Sequence, residues 1–463
     1  MLRRSGLSLL FVAAFAWASA APAVANGRMP ASFKVRFRPG SQTDILAGVT
    51  FGLMLSRDDG TTWRWICEAA VGFEGTFDPD YEFAPNGTIW ATTFSGLRYT
   101  RDGCQWQAVG APLGGGLVTA VKVADDGTVY AGFADPVEGS SFYKSTNDGM
   151  TFVPAGTLTQ SFDWFTSIEV APSAQQNLYV AGYKFQGTNP PLNMLLRSSN
   201  GGTSFESLPV TAFAVTNVSE LQIAAISPTN PDQVFVRVTL TRSTIGEALY
   251  RTDNWSRPLN MGGPTWTKVL DLPDYITGTA VRQNGEVFVT TTTTGLQKST
   301  DGGMTFTAVP GVSFEGQCLI VRPTDQSLWA CANNLPPDRM AVGRSSDGMA
   351  EWLPKLQYKD IDGPVRCDPG TTQFDDCQAT QWCVVAETHG ASTDEISCAA
   401  DAGVDGPGGP PPKDGCCNSS TTPGSSALMS LIVMLMLMLR SKACRACRAS
   451  IGSPTGRSST RSS

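Results

Sequence analysis

The sequence predicts an all-β fold, a seven-bladed β-propeller followed by a small disulfide-rich C-terminal module. Three observations predict it. A short pattern, S-x-D-x-G-x-T-W, returns along the chain at a near-constant interval, with Asn allowed at its third position and Phe at its last. Repeats of that period are the signature of propellers. Charged residues make up only 16%, against 47 Gly and 30 Pro, a composition of many short strands and tight turns rather than of helices or a solvated disordered chain. Four of the twelve cysteines fall close together after the last repeat.

Full copies of the pattern place Ser56, Asp58, Gly60 and Trp63 in the first unit, Ser145, Asn147, Gly149 and Phe152 in the third, Ser198, Asn200, Gly202 and Phe205 in the fourth, and Ser299, Asp301, Gly303 and Phe306 in the sixth. Three copies are degraded. Thr100-Arg101-Asp102-Gly103 reaches Trp106 one residue early, Ser345-Ser346-Asp347-Gly348 reaches Trp352 with Met349 in the glycine slot, and Thr252-Asp253-Asn254 meets Trp266 after an insertion. The seven starts, at positions 56, 100, 145, 198, 252, 299 and 345, define seven units. The pattern reads as a hairpin turn: a short Asp or Asn side chain bonds backbone N–H groups two residues on, and glycine takes a positive φ at no steric cost. The closing aromatic then begins the next strand as a buried anchor.

These residues resemble the Asp-box, or BNR, repeat of sialidases, sortilin-type receptors, xyloglucanases and the photosystem II assembly factor. The resemblance implies that each box lies on the outer rim of its blade, away from any ligand, in a structural role.

Taken in order, residues 1–25 carry Arg3 and Arg4, an apolar run from Leu7 to Trp17 and the small residues Ala23-Val24-Ala25, which reads as a secretory signal peptide. Export sets an oxidising compartment. The propeller spans 30–358, each unit as four strands; in the first, Phe33 to Arg38, Ile45 to Thr50 and Leu53 to Ser56 precede the box and Trp63 to Cys67 follow it. No blade draws strands from both chain ends, so the seventh packs on the first to close the ring. Cys318 and Cys331 are symmetric about the turn at Pro323 to Gln326, which predicts a disulfide between facing strands. Cys67 and Cys104 either tie neighbouring blades or stand as two buried thiols. Residues 364–400 form a cysteine-rich module, too small for much core, in which Cys367, Cys377, Cys383 and Cys398 make two disulfides in one of three connectivities; a zinc site there would lack a close C-x-x-C pair.

A Gly/Pro/Ser linker follows at 401–426, then an apolar segment and basic cluster at 427–448 and a disordered end at 449–463. Cys416-Cys417, the apolar stretch Ala427 to Leu439 and the basic run Arg440 to Arg448 resemble, in that order, the myxobacterial C-terminal sorting tail. The resemblance implies processing and lipid or membrane anchoring, with display at the outer membrane or cell surface.

The net charge is −7, and basic residues concentrate at the two ends, leaving the body strongly acidic; nucleic acid is excluded as a partner. His389 is the sole histidine and lies in the cysteine-rich module, so a Ser-His-Asp triad or multi-histidine metal site in the propeller is excluded. No metal or cofactor is expected. Sialidase chemistry needs an arginine triad, and the family's arginine-bearing element has only an echo in Phe37-Arg38-Pro39-Gly40. A glycosidase of the xyloglucanase type needs two carboxylates beside a cleft, for which Asp78, Asp80, Glu169 and Glu220 are candidates.

Where one blade hands over to the next, an aromatic recurs beside an acid: Phe73 with Glu74, Asp163 with Trp164, Asp274 with Tyr275, and Phe314 with Glu315. Such loops gather around the channel mouth, where binding is commonly placed. The competing reading makes the aromatics interblade wedges and the acids strand caps. The expectation is a non-catalytic binding or adhesion propeller whose partner is a glycan or an envelope or extracellular protein, with a glycoside hydrolase as the alternative.

Overall fold

A computed structural model describes residues 28–398 apart from 74–76, 136–138, 157, 159–163, 187–188, 214–217, 241–245, 349–350, 395 and 397. Residues 1–25, expected as a signal peptide, Cys416-Cys417 and the rest of the expected sorting tail lie outside the described residues. Seven four-stranded antiparallel sheets follow one another along the chain, each with its strands in sequential order. In blade 1 the strands are Ser32–Phe37, Ile45–Val49, Gly52–Ser56 and Arg64–Ile66. The innermost strands of blades 2 to 7 are Tyr81–Phe83, Val118–Val123, Trp164–Ala171, Val218–Ile226, Ile276–Val281 and Cys318–Val321. Each innermost strand neighbours the next, and that of blade 7 neighbours that of blade 1. The ring closes without a shared strand, as the strand parsing requires.

The four full copies of the repeated turn sit equivalently, between the third and fourth strands of blades 1, 3, 4 and 6. In the first, the Gly60 N–H donates to Ser56 Oγ at 2.9 Å and Ser56 Oγ donates to Asp58 Oδ1 at 2.9 Å. Asp58 Oδ1 also accepts the Thr61 and Thr62 N–H groups at 3.1 and 2.8 Å. These bonds consume the backbone donors that a tight turn would otherwise orphan. The three degraded copies keep the scheme. Thr100 and Ser345 accept from Gly103 and Gly348, one residue earlier than in a full copy. Gly348, with φ +71°, therefore fills the glycine slot that sequence alignment gave to Met349. In blade 5 the insertion is spanned by the Thr265 N–H, which returns to Asn254 Oδ1 at 2.9 Å.

The turn glycine has a second use. At Gly149 a Cβ would stand 2.0 Å from the Trp90 ring of the preceding blade, and at Gly303 2.6 Å from Phe235. Adjacent blades thus approach through the glycine, and the large rings that fill the gap are fully buried. Trp63 closes the circle: it is 1% exposed, its Nε1–H donates to the Lys355 carbonyl of blade 7 at 2.7 Å, and its backbone N–H donates to Asp362 Oδ2 at 2.8 Å.

Beyond blade 7 the chain turns back onto blade 1. Trp65 and Pro364 form a parallel bridge, with the Trp65 N–H donating to the Gly363 carbonyl at 2.9 Å and the Val365 N–H to the Trp65 carbonyl at 2.8 Å. A π-helical stretch, Gln373–Gln381, runs into an α-helix, Trp382–His389. Trp382 packs against Trp65, and His389 stacks on Phe51 at 4.5 Å.

Four disulfides join the described cysteines. Cys318 and Cys331 face each other across one hairpin and are bonded. Cys67 and Cys104 are bonded not to each other but to Cys377 and Cys367, over sequence separations of 310 and 263 residues. The cysteine-rich segment consequently holds one internal disulfide, Cys383 to Cys398, rather than two. The reason is its position: lying along the outer edge of blade 1, its first two cysteines come within bonding reach of blades 1 and 2 before they meet each other.

Candidate functional site

All seven innermost strands line a central channel of about 420 Å³. Its walls are charged on one side and apolar on the other. Blade 1 contributes Lys34 and Arg36, blade 2 Asp80 and Glu82, and blade 4 Glu169, and Lys122 of blade 3 reaches the last two carboxylates, so the sign alternates from blade to blade. Lys34 contacts Asp80, Arg36 Nε meets Glu82 Oε1 at 2.8 Å, and Lys122 Nζ meets Glu169 at 2.8 Å and Glu82 at 3.5 Å. Blades 6 and 7 present Ile276, Thr277, Gly278, Leu319 and Ile320 instead.

Burial alone would raise the Glu82 carboxyl, but Lys122, Arg36 and Lys34 outweigh it and hold the group below the ordinary range. Burial would lower the Lys122 ammonium, yet Glu169 and Glu82 carry it above its usual value. Glu82 and Lys122 thus stand as fixed, mutually satisfied charges in this ladder, whereas burial, with Arg36 beside it, pushes the Lys34 ammonium down to about 7.

The same polar side chains stitch the blades together. Asp80 Oδ2 accepts the Val121 N–H at 3.1 Å, Thr119 Oγ1 accepts the Phe165 N–H at 3.0 Å, Ser167 Oγ accepts the Ile223 N–H at 2.9 Å and Glu247 Oε2 accepts the Ile276 N–H at 2.7 Å. Innermost strands have no neighbour on the channel side, and these acceptors satisfy the edge donors they would leave open.

The four candidate hydrolytic carboxylates are all engaged. Asp78 pairs with Arg28 at 2.9 Å, Asp80 with Lys34, Glu169 with Lys122, and Glu220 stands 3.8 Å from Arg237. Glu82 and Glu169 oxygens are no further apart than the sum of their distances to the shared Lys122 Nζ, below the ~10 Å upper limit that glycosidases use. An ammonium nevertheless fills the gap between them. Burial pushes the Glu220 carboxyl up, with Arg237 opposing and Glu247 assisting. The carboxylate nearest Glu220 across Arg237 is Glu247, whose two oxygens already accept Thr239 Oγ1–H and the Ile276 N–H, both at 2.7 Å.

The aromatic-acid handovers divide. Phe73 and Phe314 are 4% and 6% exposed; the first belongs to the core of blade 1 and the second packs edge-on to Trp352 at 5.0 Å. Both are wedges, because the handover loop must bury an aromatic to seal neighbouring sheets. Asp274 is a strand cap, accepting the N–H groups of Tyr275, Thr293 and Thr294 at 2.8, 2.9 and 2.7 Å. Those bonds overcome burial and hold its carboxyl below the ordinary range. Tyr275 and Glu315 are exposed and Trp164 is half-buried. Glu74 and Asp163 lie outside the described residues.

Around Trp164 the structure assembles a group that the handovers alone do not reveal. In a four-stranded meander the handover and the turn between the second and third strands lie at the same end of the blade. At that end Phe77 from the handover into blade 2 meets Phe94 from that blade's second turn, with ring centroids 4.4 Å apart, and reaches Trp164 at 6.3 Å. Trp164 pairs in register with Tyr183 across blade 4, and Tyr183 contacts Phe185 at 5.2 Å. The second strand of blade 4, Ala174–Gln186, is 13 residues long, so its hairpin carries these last two rings past the body of the sheet. Phe77 is the buried floor of this strip, Phe94 is 47% exposed, and the other three rings are half-buried. The alternation Tyr183-Lys184-Phe185 and the longer spacing of the fourth unit are the sequence signals of that hairpin.

No protein-family model matches the chain, and no curated protein matches it. Among solved structures it is similar to the GH74 xyloglucanase of Xanthomonas campestris, at 15% identity over 68% of this chain and 58% of that one, TM-score 0.36. It is similar also to YCF48 from Cyanidioschyzon merolae, at 13% identity over 65% and 92%, TM-score 0.46. A third is PorZ, a surface component of the type-IX secretion system of Porphyromonas gingivalis, at 15% identity over 65% and 45%, TM-score 0.48. The chain therefore spans little more than half of the xyloglucanase and less than half of PorZ. Those proteins include a hydrolase and a surface component, and the likeness does not choose between them.

Proposed function

We propose that the chain is an exported, surface-displayed, non-catalytic binding or adhesion propeller whose ligand lies on the channel-mouth face that carries Trp164. One observation carries the reading: the described channel carboxylates are spent on cations and backbone N–H groups, whereas the rings beside the channel keep open area. An acid catalyst needs a carboxyl held protonated and a second one free to attack or to activate water; a binding face needs aromatic anchors in a rigid frame. Four disulfides fit an oxidising, extracytoplasmic setting.

The hydrolase reading retains two supporting observations, the Glu220 and Asp78 carboxyls, both pushed up by burial against the pull of Arg237 and Arg28. The full exported protein, with Glu82→Gln, Glu169→Gln and Glu220→Gln variants, tests both readings against a panel of polysaccharides by release of reducing ends. The binding reading expects no release from any of them. Release by the wild type that any of these variants abolishes would overturn it. Surface display is tested by fractionation: mature protein should accompany the outer envelope and lack its final residues, and intact full-length protein in the medium would count against anchoring.

A further inference from the structure

We infer that the ligand of this face is an uncharged polysaccharide, laid along the strip from Phe94 over Phe77 and Trp164 to Tyr183 and Phe185. The inference rests on the binding reading above and adds the chemistry of the ligand. Three features of the site select it.

First, the rings form a continuous series rather than an isolated anchor, with successive centroids at 4.4, 6.3 and 5.2 Å and one cross-strand step between Trp164 and Tyr183. Phe77 is buried beneath the series, and the rings lie tilted or edge-on to their neighbours, so a polymer of rings with apolar faces and polar edges would meet the open faces or edges of Phe94, Trp164, Tyr183 and Phe185 in turn, each at little entropic cost. Second, the charges around the strip are internally matched. Arg28 with Asp78, Lys34 with Asp80, Arg36 with Glu82, and Lys122 with Glu169 pair four cations with four carboxylates and give little net charge to attract an anionic or cationic polymer. Paired side chains can still accept from and donate to hydroxyl groups, and the Asp78 side chain beside Phe77 is 36% exposed.

Third, a polypeptide ligand would gain most by adding a strand to an open sheet edge. In blades 3 to 6, which include the blade that carries Trp164, an edge donor at the channel is already taken by Asp80, Thr119, Ser167 or Glu247. A hydroxylated polymer that binds through ring faces and side-chain polar groups needs no backbone edge.

The test uses the full exported protein in affinity electrophoresis through gels containing hydroxyethyl cellulose, galactomannan, amylopectin or polygalacturonate. Phe94→Ala, Trp164→Ala and Phe185→Ala are run beside wild type, each first shown by thermal melt to be folded. At least one neutral polymer should retard the wild type in a salt-insensitive way, and Trp164→Ala and Phe94→Ala should each weaken that binding about tenfold or more. Retardation by polygalacturonate alone, lost in high salt, overturns the inference, as does no retardation by any polymer. Neutral-polymer binding that survives all three substitutions overturns the inferred strip. The same variants are probed on an array of proline-rich and apolar peptides. Peptide binding lost in Trp164→Ala, with no polysaccharide binding, overturns the polymer and keeps the face; no substitution affecting any ligand overturns both.

Discussion

Removing the two long-range disulfides tests how the ring is held. In a chain-entropy treatment a cross-link over 310 or 263 residues restricts the unfolded chain by about 5.6 kcal/mol. Once either is closed, the other closes only the smaller ring made of residues 67–104 and 367–377, about 50 residues and about 4 kcal/mol. Cys67→Ala/Cys377→Ala or Cys104→Ala/Cys367→Ala alone should therefore cost about 4 kcal/mol, and all four substitutions together nearly 10 kcal/mol, roughly 1.5 more than the two pairs summed. At about 2.1 cal/mol/K per residue over roughly 370 residues, the melting midpoint should fall about 5 °C for either pair and about 12 °C for both. Scanning calorimetry of the oxidised protein and the three variants measures this. Strict additivity, or midpoints within a degree of wild type, would refute the view that these two bonds form one clasp across the unfolded chain.

Three further outcomes follow from the geometry. Gly149→Ala, which forces a Cβ into Trp90 at φ +75°, should cost about 2 to 5 kcal/mol, while Gly110→Ala, with nothing within 4 Å, serves as a control that leaves the denaturation midpoint in place. Phe314→Ala should cost about 3 to 5 kcal/mol and Trp164→Ala only about 1 to 2, because its ring is half-open; equal losses in urea titrations would mean that Trp164 is core. Glu82, held below its unfolded value, contributes stability that is present above the unfolded carboxyl range and lost as pH falls through its folded value. Lys122, held above its unfolded value, contributes stability present below the unfolded lysine range and lost as pH rises past it. Lys34, pushed down to about 7 by burial and Arg36, works the other way, so stability should climb from about 7 toward the unfolded lysine range; Glu82→Gln should flatten the acid side of the melts, and an unchanged acid limb contradicts the ladder.

The blades were legible because their information is local. Every turn but that of blade 5 is written within eight residues, and Ser56, Asp58 and Gly60 satisfy one another with no help from elsewhere, so spacing alone counts the units. Cys318 and Cys331 were legible for the same reason, facing each other across one turn. What the residues do not state locally is what meets across the ring. Cys67 and Cys104 lie nearest each other in the chain, and only the return of residues 361–365 along blade 1 supplies their partners. The handover pattern found Trp164 and Tyr275 but also Phe73 and Phe314, since an aromatic that seals two sheets and one that faces solvent read alike in sequence. Phe77, Phe94, Tyr183 and Phe185 escaped notice because they sit at unlike positions of blades 2 and 4, and only the common end of the meander gathers them.

The clasp also has a consequence in time. A chain made from its N-terminus presents Cys67 and Cys104 long before Cys367 and Cys377 arrive. In the interval the first two thiols have each other as an available, wrong partner, and oxidation at that stage would lock blades 1 and 2 together and leave the incoming cysteines stranded. Correct pairing therefore depends on completion of the chain, which makes the clasp a mark of a finished molecule: a product that stops short of residue 361 can build all seven blades but cannot be sealed. Non-reducing peptide mapping of such a truncated product should find Cys67 joined to Cys104 or both reduced, whereas in the full chain each should be recovered only with its distant partner.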